Sequence, residues 1–115
     1  MRKLVKVFSA LSDETRIRIL KVLLKRDCCV CEVMQALDIS QSRASRNLSI
    51  LENAGFVSSR REGLWIVYSV NNQSNDSVPS LLQMLGTCLE GEEIIKQDKE
   101  RLERAARVGC RELKQ

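Results

Sequence analysis

The chain has 115 residues, 43% hydrophobic and 30% charged, which favours one folded domain over two domains or a disordered chain. Only 3% of the residues are aromatic and one is proline, so an aliphatic core is expected, which favours helices over a β-sandwich. The net charge of +4 is compatible with an acidic partner such as nucleic acid. Because no secretion signal or membrane-spanning stretch is recognisable, we expect a cytoplasmic protein whose five cysteines are mostly reduced.

The first half of the chain predicts four helices in succession. Apolar residues at helical spacing indicate a short helix from Leu4 to Leu11, and residues 12–14 supply an N-cap and acidic first turn for a second helix. A third helix starts at the cysteine-rich segment 27–32 and ends in a tight turn over residues 38–40. Ser40 then caps a fourth helix, Gln41 to Ala54, which Gly55 terminates. The segment from Glu32 to Ala54 is therefore predicted to be a helix-turn-helix.

The second half predicts a hairpin and further helix. Residues 56–61 and 65–70 are rich in strand formers and flank a plausible tip at residues 62–64, so they predict a β-hairpin wing. A polar loop over 71–77 precedes a helix that begins near Pro79 and carries apolar residues as far as Leu89. From residue 92 the chain is strongly charged. We expect its tail from residue 96 onward to be a helix with a frayed end, more solvated than buried.

The outward face of the fourth helix carries side chains that bond phosphates and base edges. A helix fits the major groove with its N-terminal residues at the bases, where arginine pairs with guanine and glutamine with adenine. The predicted DNA contacts on this helix are Gln41, Ser42, Arg43, Ser45, Arg46, Asn47 and Ser49. On the wing, Arg60 and Arg61 are predicted to add affinity for the DNA backbone, with Trp65 as a further candidate. The order of elements favours a winged helix-turn-helix over a solvated helix followed by an unrelated hairpin.

Three stretches carry a resemblance to a known family. The sequences FSALSDETRIRIL (8–20), LDISQSRASRNL (37–48) and LENAGFV (51–57) resemble the ArsR/SmtB family of metal-responsive repressors, and the likeness extends over roughly residues 5–90. It implies a homodimer, formed by the first and last helices, that releases a two-fold operator when inducer binds. The apolar faces of 4–11 and 81–89 are the expected dimer seam, with ordinary intramolecular core as the alternative. Asn47 is a departure, since the family commonly has His there.

Clustered cysteines indicate a site for a soft ion. Cys28, Cys29 and Cys31 lie within four residues, and thiolate sulfur suits As(III), Sb(III), Cd(II), Pb(II) or Cu(I). Three thiolates match the trigonal pyramid that As(III) prefers. Residues 27–33 resemble the arsenic-sensing branch of the family, which implies Cys29 and Cys31 as ligands. That branch has a further Cys where this chain has Met34, so Cys28 is the first replacement and Cys88 or Cys110 the alternatives.

Other readings of the cysteines and of the fold stay open. Cys28 or Cys29 could instead pair with Cys88 or Cys110 in a redox or persulfide sensor. Cys88 also suits an apolar position in the dimer seam, and Cys110 an incidental thiol in the charged tail. With no histidine, the chain lacks the ligands that the family's zinc and nickel sensors place on the last helix. The sequence shows neither a nucleophile with its base nor a phosphate-binding loop, so nothing in it indicates an enzyme. The expected function is an operator-binding repressor released by As(III) or Sb(III), with a thiol redox or Cd/Pb/Cu(I) sensor, or a protein-binding winged helix, as alternatives.

Overall fold

The computed structural model describes residues 1–73 and 76–109, which form six helices and three strands. Their bounds are α1 Arg2–Ala10, α2 Glu14–Lys25, β1 Cys28–Cys29, α3 Val30–Leu37, α4 Gln41–Asn53, β2 Val57–Glu62, β3 Trp65–Val70, α5 Val78–Thr87 and α6 Glu93–Arg104. The strands form one antiparallel sheet in the order β1-β3-β2. This is the predicted winged helix-turn-helix, mainly α with a small hairpin, and the predicted helix count is confirmed.

Local chemistry sets the helix ends around the helix-turn-helix. Asp13 accepts the backbone N–H of Arg16 at 3.1 Å and so caps α2, as the sequence predicted. The side chain of Ser40 likewise caps α4. The end of α4 is a Schellman motif in which the N–H of Phe56 donates to the carbonyl of Leu51 at 3.0 Å, and Gly55 supplies the required positive φ of 90°. These ends fix where α4 begins and stops on the surface.

The core lies between the helix-turn-helix and the sheet. Its largest fully buried side chain is Phe56, which starts the wing, and Ile19, Leu20 and Leu48 are 0% exposed beneath it on α2 and α4. The hairpin pairs Glu62 with Trp65 across a two-residue loop, where Gly63 has a φ of 61°. Because α4 is anchored on this aliphatic core, its polar face points away from it.

Three parts of the chain differ from the sequence prediction. Cys28 and Cys29 are not in the third helix: they form β1, paired with Tyr68 and Val67 of β3, and α3 starts at Val30. The pairing partner lies about forty residues away in sequence, which is why local patterns did not indicate a strand.

The tail is the second difference. Most of its described residues are exposed, as predicted, but helix α6 starts at Glu93 and packs one face on α3 and α2. Its Ile95, Asp98 and Leu102 are at most 8% exposed. Asp98 binds Arg18 through two bonds of 2.8 Å and Arg101 through one of 2.8 Å. The buried charge cluster holds the helix on the domain, which composition alone could not reveal.

Helix α5 ends earlier than its apolar pattern suggested. It stops at Thr87, Cys88 is its C-cap, and Leu89 has a left-handed φ of 64°. The buried ammonium of Lys21 donates to the carbonyls of Leu85 and Cys88 at 2.7 Å each. A cation at the carbonyl end of a helix satisfies groups that have no partner within the helix, so this lysine fixes where α5 ends.

Helices α1 and α5 leave apolar side chains on the surface. Leu4, Val5 and Phe8 of α1 are 47–60% exposed, and Met84 of α5 is 54% exposed. Of the predicted α1 face, only Val7 is fully buried within the described chain. No helix among the described residues is both long and apolar enough to cross a membrane.

Candidate nucleic-acid interface and thiol site

Helix α4 presents most of the predicted DNA-reading side chains to solvent. Gln41, Ser42, Arg43, Arg46 and Ser49 are exposed and Ser45 is half-buried. The other side of the helix is core, with Ala44 and Leu48 at 0% exposure. The backbone N–H of Arg43 donates to the hydroxyl of Ser40 at 3.2 Å, which orients the first turn. Exposed amide, hydroxyl and guanidinium groups on one turn are the donor set that reads a major groove.

Asn47, also predicted as a DNA contact, lies inside the protein. It is 5% exposed, its carbonyl oxygen accepts from Arg16 at 3.0 Å, and its amide donates to the carbonyl of Arg43 at 2.9 Å. Arg16 also donates to the carbonyl of Ala10 at 2.8 Å. In this arrangement Asn47 ties α4 to α2 and to the end of α1, and both polar groups of its side chain are used within the protein.

The wing residues separate into two environments. Arg61 is exposed on β2, where it is available to a phosphate. Arg60 pairs with Glu62 at 2.6 Å and with Asp27 at 3.0 Å, so it has to leave those carboxylates before it can bind DNA. Trp65, the first residue of β3, is half-buried and packs against Cys29, Cys31 and Val67, so its described contacts are within the protein.

The structure divides the cysteine triplet. Side chains alternate along a strand, so Cys28 and Cys29 point to opposite faces of β1. Cys28 belongs to the main core, is 0% exposed, and donates its thiol to the carbonyl of Arg26 at 3.4 Å. Burial raises the pKa of Cys28 to about 12. Cys28 is therefore a protonated core residue in this conformation.

Cys29 and Cys31 meet in a second, smaller cluster. Together with Val67 they form the thiol pocket, which Trp65 and Val108 cover. Both cysteines are 1% exposed. Burial, together with a hydrogen bond between the two thiols, raises the pKa of Cys29. Among the described residues no group of three or more His, Cys, Asp or Glu side chains is preformed to hold a metal ion.

A buried carboxylate frames the thiol pocket, and the sequence analysis did not single it out. Glu32 is 3% exposed, accepts the N–H of Cys29 at 2.9 Å, and pairs with Arg26 at 2.6 Å. Burial acts to raise its pKa, but the Cys29 N–H and the Arg26 guanidinium outweigh burial and lower it. A carboxylate three residues after an N-cap is a capping-box pattern, and that spacing was the available signal. Glu32 fixes the backbone of the residue that carries one of the two thiols.

Cys88 and Cys110 were the further candidate ligands, and the structure describes only the first of them. Cys88 is half-buried at the end of α5, where its thiol donates to the carbonyl of Leu85 at 3.7 Å. It packs against the main core rather than the thiol pocket. Cys110 lies outside the described residues.

Comparisons with known sequences identify related proteins. Residues 13–59 match the model described as bacterial regulatory protein, arsR family. The arsenic resistance transcriptional regulator ArsR2 of Pseudomonas putida is 42% identical over 79 residues, which are 68% of this chain and 69% of that protein. The cadmium resistance transcriptional regulatory protein CadC homolog of Staphylococcus aureus is 42% identical over 69 residues, 59% of this chain and 57% of that protein.

Solved structures agree with the sequence comparisons. The homodimeric winged helix-turn-helix DNA-binding domain Mb0332 of Mycobacterium bovis, a possible ArsR-family transcriptional regulator, has a TM-score of 0.66 and 25% identity, covering 80% of this chain and 82% of that one. The relatives and the fold are those of transcriptional regulators rather than enzymes. The exposed face of α4, the wing and the matched sequence together show that the chain belongs to the ArsR family of bacterial transcriptional regulators.

Proposed function

We propose that this protein is a homodimeric repressor that binds operator DNA and releases it when Cys29 and Cys31 capture As(III) or Sb(III). The observation that carries the proposal is the meeting of these two thiols in one pocket at the start of α3. Helix α3 is the first helix of the helix-turn-helix, so a change at its N-terminus is transmitted directly to α4. Arsenic resistance in the name of a relative supports the choice of ion.

The DNA-binding part of the proposal uses the exposed side chains. One recognition helix contacts only a few base pairs, whereas a dimer reads two half-sites about a helical turn apart. The exposed apolar side chains of α1 and α5 are the proposed dimer seam. The proposed DNA contacts are Gln41, Ser42, Arg43, Ser45, Arg46, Ser49 and Arg61, with Arg60 available once it leaves Glu62 and Asp27. Asn47 acts from inside, by holding α4.

Chemistry favours a neutral metalloid hydroxide at this pocket. As(OH)3 and three thiols give As(SR)3 and three waters, so each thiol proton leaves with a hydroxide and no net proton is released. Cd(II) instead requires the thiols to release their protons to solvent, which the Cys29 thiol resists because burial raises its pKa. The same neutral exchange applies to Sb(OH)3.

The third sulfur has three candidates, of which Cys88 is the least suited because it packs against the main core rather than the thiol pocket. Cys28 faces the other side of β1, so its recruitment would require β1 to leave β3. Cys110 is two residues beyond Val108, and two residues of chain span at most about 7 Å. Because Val108 packs on the thiol pocket, we propose Cys110 as the third ligand, with Cys28 as the alternative.

The test is the anisotropy of labelled promoter DNA from the protein's own operon, titrated first with reduced protein and then with As(III). We expect release from the wild type and from Cys88→Ser, and retention by the Cys29→Ser and Cys31→Ser double variant. Cys110→Ser should lower As(III) affinity and Cys28→Ser should not; the reverse result would assign Cys28. Replacing both Arg43 and Arg46 by Ala should abolish binding to DNA, and unchanged binding would contradict the proposed interface.

The alternatives appear as outcomes of the same assay. Release by Cd(II), Pb(II) or Cu(I) but not by As(III) would make the protein a sensor of another soft ion. Release by an oxidant or persulfide, reversed by a reducing agent, would make it a redox sensor. No release by any of them would overturn the proposal of a sensing thiol site.

A further inference from the structure

The chain beyond α6 crosses the thiol pocket. Residues 105–109, called the strap below, leave the last turn of α6 in an extended conformation. The carboxamide of Gln35 on α3 pairs with the backbone of Ala106, donating to its carbonyl at 2.7 Å and accepting its N–H at 3.2 Å. The Gln35 carboxamide thus pairs with the strap backbone as a neighbouring strand would, and its two hydrogen bonds hold the strap against α3.

Arg107 fastens the strap to both sides of the pocket. It pairs with Glu32 at 3.4 Å on the α3 side and with Glu62 at 3.0 Å on the wing. Next to it, Val108 packs on Cys29 and Cys31, and its carbonyl accepts the indole N–H of Trp65 at 3.4 Å. These contacts come from three different elements, so they define one closed position of the strap.

The strap and Trp65 of β3 together cover thiols that are almost completely buried. Cys29 and Cys31 are 1% exposed, whereas the covering residues are themselves half-buried or exposed. The Arg107 side chain is 32% exposed, so solvent weakens its ion pairs with Glu32 and Glu62, and they hold the strap less firmly than core packing would. Lifting five residues that bury little apolar surface therefore requires far less free energy than unfolding the domain.

We propose that the strap is a gate over the thiol pocket, that Arg107 is the positioning residue that keeps it closed, and that Cys29 and Cys31 react only when it opens. The inference rests on the proposed function for the identity of the incoming ion, but the gate itself acts on any thiol reagent. Because Val108 packs against the cluster that holds both sulfurs, we expect capture of a soft ion to be coupled to displacement of the strap.

Alkylation by N-ethylmaleimide, resolved by peptide mass spectrometry, tests the gate without any metal. The thiolate adds to the maleimide double bond, the adjacent carbon takes a proton, and no group leaves. Cys28 is an internal control, because it is as deeply buried as the other two cysteines but lies in the main core and not under the strap. The test variant is full-length protein with Arg107→Gln and Val108→Ser, and the matched control is Arg104→Gln on the exposed last turn of α6.

We expect alkylation of Cys29 and Cys31 to accelerate about tenfold in the double variant, equivalent to about 1.4 kcal/mol, with the rate at Cys28 unchanged. Arg104→Gln should leave all three rates unchanged. If the double variant does not fold, Gln35→Ala provides the same test. Unchanged rates at Cys29 and Cys31, or equal acceleration at all three cysteines, would overturn the gate.

Trp65 offers an independent reading, because it is the single tryptophan of the chain and it touches both the strap and the thiol pocket. Its fluorescence should change when As(III) binds, and the change should be faster in the double variant. If alkylation accelerates but As(III) produces no change, the gate stands and the proposed ion is wrong. If As(III) changes the fluorescence at the same rate in all variants and alkylation is unaffected, the ion stands and the gate is wrong.

Discussion

Replacing Asp98 by Asn tests whether the buried charge cluster holds α6 on the domain. The carboxylate is 2% exposed and accepts three bonds of 2.8 Å from Arg18 and Arg101. The two guanidinium groups also donate to the carbonyls of Leu37 and Ala36 at 3.0 and 2.8 Å, which are the last residues of α3. Asn has nearly the same shape but leaves two cations side by side without their counter-charge.

The expected loss of stability follows from that geometry. Removing one partner of a buried ion pair costs about 3–5 kcal/mol, and because the two arginine side chains are 17% and 29% exposed, water offsets part of that cost. We therefore expect Asp98→Asn to lower the free energy of unfolding by about 3 kcal/mol. Urea denaturation followed by circular dichroism measures it, with Glu100→Gln on the exposed side of α6 as control. A loss below about 1 kcal/mol would refute the role assigned to the cluster.

Three further predictions concern the core thiol, the recognition helix and the wing. Because burial raises the pKa of Cys28 from 9.0 to about 12, its contribution to stability is complete below pH 9 and is lost as the pH rises toward 12. The free energy of unfolding, measured by denaturation at several alkaline pH values, should therefore fall as the pH rises. The fall should be less steep in Cys28→Ala by up to about 1.4 kcal/mol per pH unit, and equal slopes would contradict the raised pKa of Cys28. Asn47→Ala should lower stability by about 1–2 kcal/mol, measured by thermal melting, because it removes the partner of Arg16; reduced DNA affinity at unchanged stability would make Asn47 a DNA contact instead. Arg61→Gln should weaken binding equally for operator and random DNA and reduce the slope of log affinity against log salt by about 1 for each wing that contacts a phosphate, whereas an effect on the operator alone would indicate base reading.

The helical part of the fold was predictable because its signals are local. Asp13, Ser40 and Gly55 act on groups a few residues away, so the sequence around each of them contains the information that ends a helix. The two runs of strand formers on either side of Gly63 identified the hairpin for the same reason. These elements were found with boundaries within a residue or two.

The parts that were not predicted depend on partners distant in sequence. Asp98 and Lys21 read as ordinary surface charges until the arginines and helix carbonyls that neutralise them are brought alongside. Asn47 lies in a run of predicted DNA contacts, and only the approach of Arg16 from α2 shows that it faces inward. In each case a polar residue is buried because another element supplies its hydrogen bonds, and such a match leaves no trace in local spacing.

The thiol site lies between these extremes. The sequence grouped three cysteines by proximity along the chain, and the structure keeps two of them together. The third faces away because the segment is extended, where neighbours in sequence alternate sides. The strap was not foreseen at all, since the charged composition of the tail gave no indication that its last described residues return to the domain.

The short strand β1 therefore separates two selective pressures that act on adjacent residues. The aliphatic core determines which residues are tolerated at position 28, where valine or alanine would pack as well as cysteine. The thiol pocket on the other side of β1 determines which residues are tolerated at position 29. Packing in the core is therefore sufficient by itself to explain a cysteine at position 28.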